Sequence, residues 1–527
     1  MHFFSLHIIL LVFSTVYGTS DELPKNLTEP EKLKFNDVYE MGRETEPPQH
    51  PVRNIAEYEP MLGVLIRYPF GLSIDIISEI SSDDIVYCLV SSNLQSTAYS
   101  EMENGGVIMD NVEFILGQTD SYWTRDYGPW FVVDGQNNIA VSDFTYNRPR
   151  PNDNDAPSKI ADYLSLSYYS SDIIHAGGNY MTDGLGTAAS SDLVYQENLI
   201  PDSVVHNTMY EYFGIEEYHV VADPNNTYID HIDCWGKYLS PTKILIREVP
   251  NSHPQFEDIE QTVEYFSSTM NYWGEPWEVF RVWTPNNEPY TNSLILNDKI
   301  FLPINGSNHD NLAIEAYENA LPGYSIMGFS GSWESTDALH CRTKGIPDLQ
   351  MLQLFHNPNN DGLEPDTNGY FIQIQVDDLS DAGIVSDSMK VFWRDDESSN
   401  WSQRHLHLSN IVGNTEIWAG AIQAVTDTTV VHYFIQVADS SGRVETSPPG
   451  GWHDFIAYPT NLCNDWIRGD LDNSNKIDLI DIILLSELLV SNSIGLCPES
   501  KHVSDINNDG QITVVDILFL VNDIINP

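Results

Sequence analysis

Basic residues are scarce in this chain. Its 527 residues hold 24 Lys and Arg against 77 Asp and Glu, a formal net charge of −53 at pH 7. Such a surface repels phosphate, which excludes nucleic acid as a partner. It favours cationic substrates, calcium, or solubility in a saline medium. Long apolar runs are missing as well, with one exception. Residues 8–13 form an apolar stretch flanked by Phe3, Phe4 and Leu6, with Val16 and Gly18 ahead of a cleavage point at Thr19. That pattern predicts a signal peptide over 1–18, although its n-region lacks Lys and Arg, and a secreted or cell-surface chain with no membrane span once mature. Cysteine is sparse too, at five residues. Cys463 and Cys497 are candidates for a disulfide after export. Cys88, Cys234 and Cys341 are left as free thiols, and Cys88 lies in an apolar run that reads as inert core.

What is present is a globular composition, 41% hydrophobic and 11% aromatic, on a chain long enough for about three or four domains. Residues 19–50 are polar and rich in Glu, Pro and Lys, which predicts a loosely ordered leader. From 51 to 347, short apolar runs (61–68, 85–90, 107–116, 130–133, 243–249, 279–283, 293–296 and 299–303) alternate with helical patterns such as 256–272 and 311–320. Runs of that length are buried strands, and their alternation with helices predicts an α/β domain. From 348 to 460 the texture changes to period-two alternation, as in 369–376, 389–393 and 430–437, broken by turn residues. This predicts a small immunoglobulin-like β-sandwich.

The last part, 461–527, contains a repeat. Asp470, Asp472, Ser474, Lys476 and Asp481 recur 35 residues later as Asp505, Asn507, Asp509, Gln511 and Asp516. Calcium takes six to eight hard oxygens at about 2.3–2.6 Å. Side chains at loop positions 1, 3, 5 and 12 supply them, with the carbonyls of Lys476 and Gln511 at position 7. Gly510 in one loop and Asn475 in the other suit the sharp turn at position 6. Each loop opens an apolar helix pattern, 482–490 and 517–525. The tract 468–526 resembles the dockerin type I module, and the resemblance implies bound Ca²⁺ and a cohesin-like or cell-surface partner.

Two stretches carry the chemistry of the larger domain. In 228–234, His231 and Asp233 stand two positions apart, so on a strand or extended loop both face one cavity. In 337–343, Cys341 offers a thiol. Upstream, 122–130 places Arg125 and Asp126 among aromatics, ended by Gly-Pro. Asp126 is suited to a two-pronged hold on a guanidinium and Trp123 to stacking on it, although an internal Arg125–Asp126 pair is the plainer reading of that stretch. Cysteine, histidine and two carboxylates are the parts needed for nucleophilic attack on a guanidinium carbon.

These stretches, with His175-Ala-Gly-Gly-Asn179 and Asp183-Gly-Leu-Gly-Thr187, together resemble the agmatine deiminase / bacterial peptidylarginine deiminase family over about 50–347. The resemblance implies a five-bladed α/β propeller and, by residue, Cys341 as nucleophile, His231 as general acid/base, Asp126 and Asp233 as guanidinium clamps and Asn292 supporting the thiol. Trp123, Tyr228 and Ile229 are the implied substrate contacts, and no cofactor is expected for catalysis. The signal peptide, the sandwich and the pair Arg148 and Arg150, suited to a substrate carboxylate, favour the exported peptidylarginine enzymes, which act on peptides or proteins bearing arginine. The alternatives are a deiminase of agmatine or free arginine and a non-catalytic, calcium-dependent adhesion protein.

Overall fold

The computed structural model describes residues 23, 25–363, 365–366, 368–396, 398–459, 466–491, 501–507 and 511–525. The expected signal peptide, the Cys463–Cys497 pair, Asp509 and Gly510 lie outside them.

One unit recurs five times between Met61 and Pro347. A short strand folds back antiparallel onto a longer one, a helix crosses over, and a third strand lies parallel to the second. Trp130–Val133, Ile139–Tyr146, the helix Ala156–Leu164 and Ser167–His175 make one such unit. The next has Met181–Thr182, Thr187–Ser191, the helix Asp202–Phe213 and Glu217–Val221. Gly236–Tyr238, Lys243–Glu248, the helix Phe256–Ser268 and Glu278–Trp283 follow. Then come Leu294–Leu296, Lys299–Ile304, the helix Asp310–Ala320 and Ser325–Ser330. The fifth joins the two ends of the region. Lys344–Pro347 pairs antiparallel with Met61–Arg67, which passes through the helix Ile74–Asp83 to Ile85–Val90 and the further parallel strand Val112–Leu116.

The central strands are continuous apolar runs because both of their faces are covered. Val64, Leu65 and Ile66 are buried, as are Ile244, Leu245 and Ile246. The helices present one apolar stripe: Ile76, Ile77 and Ile80 in one, Ile259 and Phe266 in another. Each such side chain contributes about 1.5–3 kcal/mol on burial. The expected elements are found with shifted ends. The strand expected from 107 begins at Val112, after a 3₁₀ turn at Met109–Asn111. The helix expected through 272 stops at Ser268, where Thr269 turns extended and Met270 bridges Pro276 around Gly274.

The leader departs from expectation. From residue 25 it is ordered: Lys25 and Val38 are buried, and Thr45 pairs with Ser170 through backbone and side chain.

Beyond 347, two antiparallel sheets share one core. Leu352–Phe355, Tyr370–Asp378, Thr415–Ile422 and His407–Val412 form one. Ser402–His405, Lys390–Asp395, Thr429–Ala438, Val444–Ser447 and His453–Ala457 form the other. Alternate residues Ile372, Ile374 and Val376 pack against Val431, Tyr433, Ile435 and Val437. Near the C-terminus, the helices Leu479–Ser491 and Val514–Ile525 pack through Leu485, Leu488 and Leu520. Among the described residues, no helix is long and apolar enough to cross a membrane.

Candidate active site

Five turns, one ahead of each short strand, carry the chemistry-bearing residues. The helical turn Thr124–Tyr127 holds Asp126, and Gly177–Asn179 holds Gly178. Ile232–Cys234, entered at His231, holds Asp233. Asn292 lies two residues before Leu294–Leu296, and His340–Arg342 holds Cys341. The repeated unit therefore aims five loops at one place.

There, Cys341 Sγ lies 3.6 Å from Asp233 Oδ2 and accepts a hydrogen bond from Asn292 Nδ2 at 3.3 Å. Asn292 Oδ1 in turn accepts from the Cys341 backbone N–H at 3.3 Å. His231 Nδ1 is 3.5 Å from Asp126 Oδ1. Gly178 sits between the groups: a Cβ built on it would lie 2.6 Å from Asp126 Oδ1, 2.7 Å from His231 Nδ1 and 3.2 Å from Asp233 Oδ2. Only glycine admits that approach. All of these side chains are buried. Neither ring nitrogen of His231 hydrogen-bonds within the protein, and neither does Asp126 Oδ1.

His231 and Asp233 converge, though not for the reason read from sequence. No strand alternation is involved, because Ile232–Cys234 is a 3₁₀ turn, entered through Asp230 at φ 49°. Asn179 fixes this turn, its Oδ1 accepting from the N–H groups of Ser191 and Ile232. The plain Arg125–Asp126 pair is not formed; Arg125 forms an ion pair with Glu57 instead, at 2.8 Å.

Four site residues escaped sequence reading. Glu57 forms an ion pair with Arg125 and accepts from Lys237 at 3.0 Å and from His340 Nε2 at 2.6 Å, while His340 Nδ1 reaches Asp233 Oδ2 at 2.8 Å. Glu57 carries no motif signal, whereas His340 stood in plain view beside Cys341. The other two are Lys25 and Glu31 of the leader. Lys25 Nζ lies 2.9 Å from Cys341 Sγ, and Glu31 Oε1 is 2.7 Å from Arg150 Nε.

Arg148 and Arg150 are buried rather than on the surface. Arg148 donates to the Asn147 carbonyl at 3.0 Å, and its charge reaches Asp126 and His231. The guanidinium over the Trp123 ring, at 5.2 Å, belongs to Arg150. Tyr228 stands at the surface, 59% exposed, with its hydroxyl 3.4 Å from Thr336 Oγ1. Ile229 is buried.

Burial, reinforced by Asp233, pushes the Cys341 thiol up to about 12. Burial likewise raises Asp126 to about 7, against the pull of Lys25. Burial would raise Asp233 too, but the hydrogen bond and charge of His340 outweigh it and hold this carboxyl well below the usual range. His340 itself is lowered, by burial and by Arg125. Its two nitrogens face two carboxylates, so each must carry a proton for both contacts to be favourable, and we take it as the imidazolium. Burial leaves His231 neutral. The site thus pairs a neutral thiol with an anionic carboxylate, and among the described residues Lys25 is the cation at the sulfur.

A sequence model described as Porphyromonas-type peptidyl-arginine deiminase matches residues 72–347, just over half of the chain. The chain belongs to this family. This deiminase is similar to proteins named "Putative agmatine deiminase" in Mycoplasma mycoides and Legionella pneumophila. The first is 25% identical over 44% of this chain and 75% of the relative; the second is 24% identical over 46% and 77%. The agmatine deiminase structure from Enterococcus faecalis, at 16% identity, superposes with a TM-score of 0.50 over 59% of this deiminase and 97% of that chain, which shows a shared α/β fold. Enzymes of the family hydrolyse C–N bonds of guanidino groups.

A second sequence model, the dockerin type I domain, matches residues 468–525. In its first loop, ligand atoms of Asp470, Asp472 and Asp481 lie within 4.8 Å of one another. Asp470 and Asp481 are buried, Ser474 Oγ is 3.2 Å from the Lys476 carbonyl, and Asn475 takes the left-handed turn at φ 61°. This hard-oxygen set fits Ca²⁺. In the second loop, Asp516 is buried and accepts from the N–H groups of Asn507 and Thr513.

Proposed function

We propose that this protein is a secreted protein-arginine deiminase, converting peptidyl arginine, preferentially at a C-terminus, to citrulline and ammonia. One observation carries the reading: a buried thiol meets an anionic carboxylate at 3.6 Å, beside a neutral imidazole and a second carboxyl. Asp126 and Asp233 clamp the planar guanidinium. The arriving positive charge stabilises the thiolate, which burial alone disfavours, so the nucleophile forms when substrate is bound. As substrate binds, the Cys341 thiol gives its proton to His231 and Sγ attacks the guanidinium carbon; the His231 imidazolium then returns that proton to the departing nitrogen, which leaves as ammonia. The product of this half is a thiouronium adduct. His231 then takes a proton from water, the water oxygen attacks the same carbon, and Cys341 leaves as thiolate. Asn292 orients the sulfur. Dividing one hard substitution into two assisted steps is the source of rate, with about 10²–10⁴-fold from proton transfer.

Peptidyl arginine is favoured over agmatine because Arg150 binds a carboxylate, that of Glu31, and because Arg148 directs positive charge at the cleft. Agmatine has no carboxylate to use them. In this reading the five sheets are the blades of a propeller closed by Lys344–Pro347 on Met61–Arg67, the sandwich is immunoglobulin-like, and the signal peptide exports the chain. Ca²⁺ would be held in the C-terminal loops by Asp470, Asp472, Ser474, the Lys476 carbonyl and Asp481, and by Asp505, Asn507, the Gln511 carbonyl and Asp516, with Asp509 the ligand that the sequence repeat adds outside the described residues. When bound it would supply the countercharge that lets these carboxylates pack together, and the dockerin domain would then meet a cohesin-like partner. The test is ammonia release from a peptide ending in arginine, a peptide with internal arginine, and agmatine. The C-terminal arginine is expected to react fastest, with Cys341→Ala inactive on all three and Arg148→Gln impaired on the first alone. Faster turnover of agmatine by the wild-type chain would overturn the substrate assignment.

A further inference from the structure

The leader places a cation on the sulfur and a carboxylate on the arginine that the proposed substrate would use. Lys25 is 6% exposed, with Nζ 2.9 Å from Cys341 Sγ. Burial alone would lower this ammonium, but Cys341, Asp337, Cys234 and Asp126 around it outweigh that and hold it charged. Six residues on, Glu31 presents both carboxylate oxygens to Arg150, at 2.7 and 3.5 Å. The segment between is shaped for this. Thr28 and Glu31 form a reciprocal cap on the short helix Glu29–Lys32, the Thr28 N–H bonding Glu31 Oε2 at 2.7 Å, and this cap fixes the direction of the Glu31 carboxylate.

We propose that residues 25–45 are an intramolecular pseudo-substrate, which fills the cleft with a cation the thiolate cannot attack and which must be cut or displaced before turnover. The proposal rests on reading Cys341 as the nucleophile. A lysine ammonium satisfies the site's demand for positive charge, yet its nitrogen bears only a saturated carbon. No trigonal, electron-poor carbon lies where a guanidinium would place one, so the occupant binds and does not react.

The strap is held in a way that permits release. Its anchors are mainly polar: Arg43 with Asp155, the Met41 carbonyl with Asn154, the Tyr39 hydroxyl with the Glu197 carbonyl, and the Thr45–Ser170 pair. Between Lys25 and Met41, Val38 is the one apolar side chain fully buried. Between plug and anchors run Lys32, Leu33 and Lys34, all exposed. A trypsin-like protease meets two cleavable lysines there, and a cut at either severs Lys25 and Glu31 from the anchors. A tethered ligand acts at an effective concentration on the order of mM, so free substrate below that level competes poorly until the tether is broken.

The test uses the full mature chain in three forms: unaltered, Lys25→Met, and with a specific protease site inserted after Leu33 and cleaved. Two readouts are taken, ammonia release from a peptide ending in arginine at sub-millimolar concentration, and the rate at which 2-chloroacetamidine, a small amidinium alkylator, labels Cys341. Both are expected to rise at least about tenfold in the substituted and the cleaved chains, and a synthetic peptide of residues 23–45 should then inhibit the cleaved chain competitively. Labelling and turnover unchanged in the cleaved chain would overturn the proposal while leaving the deiminase reading intact. Faster labelling with no guanidine turned over by any form would support the strap and overturn that reading instead.

Discussion

Gly178→Ala isolates the geometry of the site from its chemistry. The substitution removes no functional group and adds one methyl. The backbone at Gly178 lies outside the left-handed region, so alanine is compatible with the chain path. The added Cβ, however, would lie 2.6 Å from Asp126 Oδ1 and 2.7 Å from His231 Nδ1. To regain an ordinary contact of about 3.5 Å, each of those groups must retreat by about 1 Å or push the turn outward. Misplacing reacting groups by that much lowers rates by about 10²-fold, while a methyl forced into a packed interior destabilises by about 1–3 kcal/mol. Gly236→Ala is the control, since its Cβ would meet nothing nearer than 3.7 Å. The assay is kcat/KM for ammonia release with strap-cleaved enzyme, beside urea unfolding of each variant. Gly178→Ala should fall about 10²-fold with modest loss of stability, and Gly236→Ala should match wild type. Activity of Gly178→Ala within twofold of wild type would falsify the convergence of these side chains on one pocket.

Glu57→Gln leaves Arg125, Lys237 and His340 without their shared carboxylate, and breaking a buried ion pair from one side destabilises by about 3–5 kcal/mol; a large drop in the urea midpoint is expected, and an unchanged midpoint counts against the network. Asp126, raised by burial to about 7, holds a proton in the folded chain at pH values where the unfolded chain has released it. Its contribution to stability is therefore present at low pH and lost as pH rises from about 4 to 7, whereas kcat/KM should climb through about 7 as the carboxylate forms. A profile flat from pH 5 to 8 would contradict this role. Asp481→Ala removes a buried calcium-loop carboxylate, and should abolish one Ca²⁺ binding event in calorimetry while leaving ammonia release unchanged.

The proposed catalytic set, which the fold brings together, was legible in sequence because its chemistry is concentrated: Asp126, His231, Asp233 and Cys341 each sit in a short motif of unusual residues. The α/β character was legible because the central strands, buried on both faces, read as unbroken apolar runs. Three things were not. The turn at Ile232–Cys234 is set by Asn179 and Ser191 from another unit, so the i, i+2 spacing suggested a strand or extended loop where a 3₁₀ turn stands. Glu57 acts through partners 68, 180, 238 and 283 residues away, and such separations leave no local trace. The leader read as loose because its polar composition gives it almost no core of its own; what orders it is a cleft built by the rest of the chain.

The strand Lys344–Pro347 completes the fifth unit against Met61–Arg67, and Cys341 precedes it by only three residues. The sulfur therefore emerges from the ribosome after nearly the whole of the repeated region, and the strand that follows it is paired with one of the earliest. A chain that stops before residue 341 therefore lacks the proposed nucleophile altogether, however many of the repeated units it has completed.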